Sequence, residues 1–314
     1  MRPKVLITDT FPLEFREAIG RLPVSMKYMP NVPKAEILVE LQDAQVLILN
    51  SGINVDRATI DAGPRLEMII RAGVGMDHFD LPYLSEKGIK VLNTKGGNAE
   101  SVGEQTVGML LAMRHWVVRA DKQMREFRFM RHPNRATEIR GKTIGLIGYG
   151  FTGKAVARKL SGFGCRVLVY DKYLQNYGDQ YASEASMEEI FAQAEILSFH
   201  IPLTEETHYL ADADFFASFS QPIWFLNLAR GEVTHLPSLL GAMDKGEVVA
   251  AALDVLEHEK KLEHLPADQQ LIFEELFSRD NVIVTPHIGG WSWESLAEIN
   301  GRIVQYVEDW LAGR

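Results

Sequence analysis

The sequence contains almost no cysteine, no excess of positive charge and no long apolar run. Among its 314 residues Cys165 is the single cysteine, which excludes an internal disulfide and a cysteine-based zinc site and fits a reducing compartment. Lysine and arginine number 33 against 42 acidic residues, and the formal net charge of −9 argues against binding along nucleic-acid phosphates. The N-terminus lacks the apolar stretch of a signal peptide, and no run approaches about 18 apolar residues. We therefore expect a cytoplasmic protein that binds neither nucleic acid nor membrane.

Internal repeats, low-complexity tracts and flexible linkers are also missing, whereas short apolar segments recur between segments of helical periodicity. At about 150 residues per domain the length predicts two domains. Strands this apolar, alternating with helices, predict an α/β fold of two doubly wound, Rossmann-like parallel sheets. The ten predicted strands are Val5–Ile7, Val46–Leu49, Met68–Ile70, Val91–Leu92, Thr143–Ile147, Val167–Tyr170, Ile196–Phe199, Ile223–Leu226, Val248–Leu253 and Val282–Val284.

The longest predicted helix covers about Ser101–Phe127, because its apolar residues keep a helical period and no proline interrupts it. It carries Trp116, Val117 and Phe127, with Phe129 close behind, which is more apolar surface than one domain face needs. This surplus predicts a homodimer. The polar stretch 257–270 is predicted to be a solvated loop or helix face.

A phosphate-binding turn is predicted where a strand meets a helix. The pattern G-x-G-x-x-G allows a tight turn, close approach of a pyrophosphate to the backbone, and close packing of helix against strand. The next strand ends at Asp171, where a carboxylate can bind ribose hydroxyls and repel a 2′-phosphate, so NAD is the expected cofactor. Lys172 leaves some room for NADP. The residues of the turn are Gly148, Tyr149, Gly150, Phe151, Thr152 and Gly153.

Three charged side chains follow predicted strands of the same half: Arg230, Glu259 and His287. Because ligands bind at the carboxyl ends of parallel strands, these groups predict an acid/base site beside a nicotinamide. Arg230 would bind a carboxylate and polarise a carbonyl, His287 would transfer a proton, and Glu259 would orient the imidazole and favour its protonated form. Taken singly, each has a structural alternative: a surface ion pair, a solvated loop residue and a capping or core histidine. No histidine spacing indicates a metal site.

With these motifs the chain resembles the D-isomer-specific 2-hydroxyacid dehydrogenase family over nearly its whole length, and most closely the phosphoglycerate dehydrogenases. The resemblance implies a flavodoxin-like substrate domain of residues 1–97 with 288–314, an NAD-binding Rossmann domain of residues 98–287, and an active site in the cleft between them. The matching segments are Arg71–Asp77, Asn93–Val102, Gly148–Gly153 with Asp171, His200–Thr204, Asn227–Gly231, Leu253–Val255 and Thr285–Gly290.

The resemblance also implies further site residues. Amides of Val74 and Gly75 would bind the substrate carboxylate, Arg71 would supply charge, and Asn98 and Val102 would lie near the reacting centre. Asp254 would contact the nicotinamide carboxamide. His200, Pro202 and Ala229 would belong to the cofactor-binding loops.

The sequence departs from the family pattern in ways that leave the substrate open. Lys260 stands where a proline usually follows the catalytic glutamate, which makes Glu257 a rival to Glu259. The segment Asn50–Ile53 lacks the cationic residues that hold a substrate phosphate in phosphoglycerate dehydrogenases, and the end at Arg314 leads us to expect no serine-binding regulatory domain. Glyoxylate or hydroxypyruvate reduction is therefore an alternative, as is a non-catalytic NAD-sensing scaffold similar to the corepressors of the family.

Overall fold

The computed structural model describes residues 2–314, apart from the side chain of Lys260, and divides into two compact units. The first unit runs to Asn98 and resumes over Trp293–Arg314, and the second spans Ala99–Ser292. Each unit contains one sheet, and the strand pairs are parallel in both. The predicted α/β fold with two doubly wound parallel sheets is confirmed. Among residues 2–314 the structure contains no helix with the length and hydrophobicity that spanning a bilayer demands.

The first unit is built on five strands in the order β2-β1-β3-β4-β5, the strand order of flavodoxin. Its sheet reverses direction of winding between β1 and β3, where open sheets of this type bind their ligands. The elements are β1 (Lys4–Ile7), α1 (Leu13–Arg21), β2 (Ser25–Tyr28), α2 (Lys34–Leu41), β3 (Val46–Leu49), α3 (Arg57–Asp61), β4 (Met68–Arg71), α4 (Leu81–Glu86) and β5 (Lys90–Asn93).

The C-terminal helix completes the first unit, although the whole second unit, Ala99–Ser292, separates it from Asn98 in the sequence. Ile299, Ile303 and Val307 are buried in one cluster with side chains of β1, β3 and β4. The opposite face of the sheet is covered by α2, α3 and α4. Burial on both faces explains why the inner strands β1, β3 and β4 are almost entirely apolar instead of alternating.

The second unit is built on seven strands in the order β12-β11-β10-β9-β6-β7-β8. Winding reverses between β6 and β9, which places the ligand-binding edge of this sheet at the residues that follow those strands. Short 3₁₀ helices occupy Ser161–Phe163, Gly231–Val233 and Glu259–His264. The elements are α5 (Ala99–Arg114), α6 (Val117–Arg125), β6 (Thr143–Ile147), α7 (Phe151–Leu160), β7 (Arg166–Tyr170), β8 (Ser183–Glu184), α8 (Met187–Gln193), β9 (Ile196–Phe199), α9 (Ala213–Ala217), β10 (Ile223–Asn227), α10 (Leu236–Asp244), β11 (Val248–Leu253), α11 (Ala267–Ser278), β12 (Val282–Val284) and, in the first unit, α12 (Trp293–Ala312).

The single long helix predicted over 101–127 is wrong, because the chain breaks it at Trp116. Trp116 has φ of 54°, in the left-handed region, and separates α5 from α6. Its indole packs against Trp224 with ring centroids 5.3 Å apart, and the Arg119 guanidinium lies 3.9 Å above it. These tertiary contacts outweigh the helical periodicity, which carries no signal for such a break.

Candidate active site

The glycine turn after β6 has the geometry that an anionic ligand requires. Gly148 has φ of 97°, and a Cβ there would overlap the main chain of His200, so the position admits no side chain. A Cβ on Gly153 would overlap the Gly148 carbonyl, which shows how closely α7 packs on the turn. A Cβ on Gly150 would meet no atom within 4 Å. The middle of the turn therefore opens onto free space.

The residues around this space fit a dinucleotide. Gly150 is the N-cap of α7 with extended backbone and no side-chain cap, so the first amides of the helix face outward with the positive end of its dipole. The Asp171 carboxylate accepts hydrogen bonds from the amides of Tyr149 (2.8 Å), Tyr173 (3.0 Å) and Leu174 (3.2 Å). These bonds fix the carboxylate and leave it acceptor capacity for ribose hydroxyls. A bound dinucleotide would supply a nicotinamide that carries hydride.

The other residues predicted for the cofactor-binding loops mainly contact neighbouring parts of the protein itself. The Tyr149 ring is fully buried, and burial raises the pKa of its phenol. His200 is buried with its Nε2 3.0 Å from Ser198 Oγ, and burial lowers its pKa to about 4, so its imidazole is neutral at pH 7. The Pro202 carbonyl accepts from Thr207 Oγ1. Phe151 and Thr152 form the first turn of α7.

Arg230 is positioned by a side chain that sequence reasoning did not single out. Asn227, fully buried at the end of β10, donates through Nδ2 to the Arg230 carbonyl (2.8 Å) and to Thr234 Oγ1 (3.0 Å). Its Oδ1 accepts from the Ala229 amide at 2.9 Å. One buried amide thus fixes both sides of the loop that carries Arg230, whose Nη1 in turn donates to the Ala229 carbonyl.

His287 and Glu259 are paired directly. His287 Nδ1 lies 2.6 Å from Glu259 Oε1, and the other carboxylate oxygen accepts from the Leu256 amide at 3.4 Å. Burial alone would raise the pKa of Glu259, but the hydrogen bond and charge of His287, with Arg230 nearby, hold that pKa below its usual range. The carboxylate is therefore ionised at neutral pH and orients the imidazole, with Nε2 left as the nitrogen for chemistry.

Asp254 builds the loop on which His287 stands. Its carboxylate accepts from the Thr285 hydroxyl and from the amides of Ile288 (2.9 Å) and Gly289 (2.7 Å), and its carbonyl accepts from the His287 amide (2.8 Å). His287 itself has φ of 53°. These bonds explain why residues 288–292 cluster with the second unit. The contact of Asp254 with a carboxamide, implied by the resemblance, would have to share oxygens that already accept three protein bonds.

The loops of Arg230 and Glu259 are locked together at Gly231. A Cβ on Gly231 would overlap the peptide that joins Leu256 to Glu257, so only glycine permits this approach. The solvated character predicted for 257–270 is wrong for Glu257, which is buried. Burial and the neighbouring Glu257 carboxylate raise the pKa of Tyr209 to about 12. Glu257 thus points into the protein, whereas its rival Glu259 meets His287.

A cavity of about 400 Å³ adjoins the Glu259–His287 pair. It is lined mainly by apolar side chains, among them Leu256, Leu262 and Phe277. Met109 and Val102 of α5 lie in the neighbouring core, and Ser101 Oγ donates to the Gly289 carbonyl at 2.7 Å. Among the described residues no group of three or more His, Cys, Asp or Glu is arranged to hold a metal ion.

The remaining predicted residues lie in the first unit, at the carboxyl end of its sheet. Arg71 ends β4, and the loop that follows is tied down by Asn93, whose Nδ2 donates to the Val74 carbonyl at 2.7 Å. Val74 is exposed, while Gly75 and Asn98 are half-buried. The loop therefore presents its backbone at the edge of this sheet.

Backbone amides of the loop Asn50–Ile53 already bind a carboxylate of the protein, that of Asp9. The Asp9 carboxylate, after β1, accepts from the amides of Asn50 (2.9 Å), Ser51 (3.3 Å) and Gly52 (3.0 Å). These three amides form the kind of backbone concavity that binds a phosphate elsewhere. Neither Asp9 nor its role was indicated by the sequence pattern.

Comparison with known proteins gives one consistent answer. Residues 107–289 match the family model described as D-isomer specific 2-hydroxyacid dehydrogenase, NAD binding domain. The chain is 33% identical over 277 residues to hydroxypyruvate reductase of Thermotoga maritima, covering 88% of each protein. It is 32% identical over 311 residues to human D-3-phosphoglycerate dehydrogenase, covering 97% of this chain and 56% of that protein.

The fold comparison agrees with the sequence comparison. The crystal structure of D-lactate dehydrogenase from Aquifex aeolicus, complexed with NAD and lactic acid, superposes with a TM-score of 0.87 and 30% identity, covering 98% of this chain and 96% of that one. The chain spans little more than half the length of the phosphoglycerate dehydrogenases that it matches. With the glycine turn, Asp171 and the Glu259–His287 pair, these matches lead to one conclusion: the chain belongs to the D-isomer specific 2-hydroxyacid dehydrogenase family of NAD-dependent oxidoreductases.

Proposed function

We propose that the protein interconverts a small, unphosphorylated D-2-hydroxyacid and its 2-oxoacid, with Arg230, Glu259 and His287 as the catalytic residues. The observation that carries this proposal is the 2.6 Å contact between His287 Nδ1 and Glu259 Oε1 beside the loop of Arg230. The likeness to hydroxypyruvate reductase over 88% of both chains supports the substrate class.

In the reducing direction, a bound NADH would supply the hydride that the carbonyl carbon of the 2-oxoacid accepts. Negative charge then develops on the carbonyl oxygen, where protonated His287 donates its Nε2 proton and the Arg230 guanidinium stabilises the charge. Glu259 stabilises the imidazolium before the transfer. Oxidation reverses the steps, with neutral His287 as the base.

The first unit is proposed to bind the substrate carboxylate through the amides of Val74 and Gly75. The bond from Asn93 to the Val74 carbonyl supports this role, because it fixes the peptide whose neighbouring amides would donate. Arg71, at the end of the same strand, is proposed to add positive charge. We assign the first unit to substrate binding and the second to NAD binding.

The absence of a phosphate on the substrate is inferred from Asp9. Its carboxylate occupies the three amides of the loop Asn50–Ile53, and a phosphate brought there would lose those donors and meet a negative charge. Because charge-assisted hydrogen bonds contribute about 1.5 to 3 kcal/mol each, their loss would remove most of the advantage of a phosphorylated substrate.

The first prediction concerns the proton donor. His287→Ala should lower kcat at least about 10²-fold while NADH still binds, because the donor is lost and the cofactor turn is intact. The pKa of Glu259 is lowered, so this carboxylate stays charged from neutral to alkaline pH and loses its charge only below its usual range. A loss of reductase activity on the alkaline side therefore has a cause other than the titration of Glu259.

Glu259→Gln should move that alkaline loss to lower pH, because an amide does not stabilise the imidazolium. The profile of kcat against pH measures the shift, and Glu263→Gln, an exposed residue of the same 3₁₀ segment, serves as the control. If Glu259→Gln leaves the profile in place while Glu257→Gln moves it, the assignment of the carboxylate is wrong.

The second prediction concerns the substrate phosphate. In a panel of 2-oxoacids, kcat/KM for 3-phosphohydroxypyruvate should exceed that for hydroxypyruvate by less than about tenfold, because Asp9 fills the anion-binding amides. Asp9→Asn should raise this ratio at least about threefold by removing the negative charge, and Asp61→Asn on α3 should not. A hundredfold preference for the phosphorylated compound in the unaltered protein would instead identify it as a phosphoglycerate dehydrogenase.

A homodimer is also proposed, from the apolar surface on and after α6. Val117, Val118 and Met124 are exposed on this short helix, and Phe127 and Phe129 follow with 99% and 80% of their surface accessible. Isolated exposed apolar residues are ordinary, but five of them on one short helix and the segment that directly follows it favour an interface. A second copy of the chain is the proposed partner, since a two-fold contact would cover the same patch on both subunits.

The third prediction tests the dimer. Light scattering at micromolar concentration should give about twice the chain mass of 35.3 kDa. The double variant Phe127→Ser, Phe129→Ser should shift the protein toward monomer, because the interface would lose two aromatic rings. Val39→Ser, at an exposed position of α2, should leave the mass unchanged. A mass near 35.3 kDa for the unaltered protein would contradict the proposal.

A cytoplasmic location is inferred from cysteine usage. The half-buried Cys165 is the only cysteine in the sequence, and burial raises the pKa of its thiol, which keeps it protonated and unreactive. Because a single cysteine cannot form an internal disulfide, an oxidising compartment would not stabilise the chain.

A further inference from the structure

Glu206 connects the loop after β9 to the loop after β7. The loop after β7 begins with Asp171, the carboxylate that we expect to bind the ribose hydroxyls. One oxygen of Glu206 pairs with the Lys172 ammonium, and the other accepts a hydrogen bond of 2.7 Å from the Tyr173 hydroxyl. Lys172 and Tyr173 directly follow Asp171, at the end of β7. Glu206 therefore reaches from the loop after β9 to the cation that directly follows Asp171 in the sequence.

The loop that carries Glu206 is itself fixed. The Thr204 amide donates to Thr207 Oγ1 at 2.8 Å, and Thr207 Oγ1 donates to the Pro202 carbonyl at 2.7 Å. The Thr207 amide returns a bond to Thr204 Oγ1 at 3.2 Å. Glu206 lies inside this hydrogen-bonded turn, so its carboxylate is presented to Lys172 from a defined backbone and not from a free chain.

Lys172 is the residue that would otherwise favour a phosphorylated cofactor. A 2′-phosphate on the adenosine ribose would lie beside Asp171, whose carboxylate would repel it. The ammonium of Lys172, the next residue in the sequence, would attract it. The balance between these two neighbours decides between NAD and NADP. A carboxylate that binds Lys172 shifts this balance against the phosphate.

We propose that Glu206 is a second specificity-determining residue for the cofactor, which acts against NADP(H) by holding the Lys172 ammonium away from a 2′-phosphate. The proposal rests on the family's use of a dinucleotide and not on the proposed substrate. To bind a 2′-phosphate, Lys172 would have to leave Glu206, and the phosphate would then meet two carboxylates instead of one.

Stability does not account for this contact. The side chains of Lys172 and Glu206 are 55% and 42% accessible, and ion pairs this exposed stabilise a fold very little. Their effect on an incoming dianion is different in kind, because the charges of Asp171, Lys172 and Glu206 would all act on a 2′-phosphate bound beside them. A cofactor-binding role thus explains a contact that folding alone does not require.

The test is a comparison of dissociation constants for NADH and NADPH, measured by fluorescence without any substrate. The unaltered protein should favour NADH at least about tenfold, since Asp171 and Glu206 both oppose the phosphate. Glu206→Gln should reduce this preference at least about threefold, mainly through tighter NADPH binding. Glu205→Gln, which removes the same charge from the exposed neighbouring position, is the matched control and should change the preference by less than about 1.5-fold.

The role of Lys172 is isolated by a double-mutant cycle. In a Lys172→Met background, Glu206→Gln should change the preference at most about half as much as it does in the unaltered protein, because the cation that Glu206 restrains is gone and only its direct repulsion of the phosphate remains. An unchanged preference in Glu206→Gln, an equal effect of Glu205→Gln, or a full effect in the Lys172→Met background would each overturn the proposal. Since no turnover is measured, none of these outcomes depends on the assignment of the catalytic residues or the substrate.

Discussion

The close approach of Gly231 to the peptide between Leu256 and Glu257 is the constraint on which the arrangement of the site depends. The loops after β10 and β11 leave neighbouring strands, and their backbones pass each other so closely that a Cβ atom on Gly231 would overlap the other loop. No side chain fits at the crossing. Because Arg230 directly precedes Gly231 and Glu259 follows Glu257 by two residues, the crossing determines how far apart these two charged groups stand.

Buried polar groups then hold each loop in the conformation that the crossing allows. Asn227 satisfies both ends of the Arg230 loop, and Asp254 accepts three bonds from the loop that carries His287. An unsatisfied polar atom in such positions would be costly, so these bonds are strong determinants of geometry. The Glu259–His287 contact is the outcome, and its partial burial makes the electrostatic coupling effective.

The sequence allowed most of the fold to be predicted, because ten strands contain an apolar run and the glycine turn lies between a strand and a helix. It did not reveal β2 and β8, which lie at sheet edges and are partly polar, so they give no apolar run. It also did not reveal the helix break at Trp116, which tertiary packing imposes. For the site, residue types near strand ends pointed to Arg230, Glu259 and His287. Gly231 and Asp9 act through contacts with segments distant in the sequence, which no local pattern encodes. Asn227 acts within its own loop, but its role depends on its burial, which the residue type alone does not reveal.

The activity of the Gly231→Ala variant decides whether this crossing positions Arg230 and Glu259 for catalysis. A methyl group at the crossing must separate the Arg230 loop from the Glu259 loop, so kcat/KM should fall at least about 10²-fold while the dissociation constant for NADH stays within about threefold. Gly241→Ala, at a position on α10 where a Cβ meets no atom within 4 Å, adds the same methyl group and should keep full activity. Near-normal turnover by Gly231→Ala would contradict the claim that this crossing sets the geometry of the site.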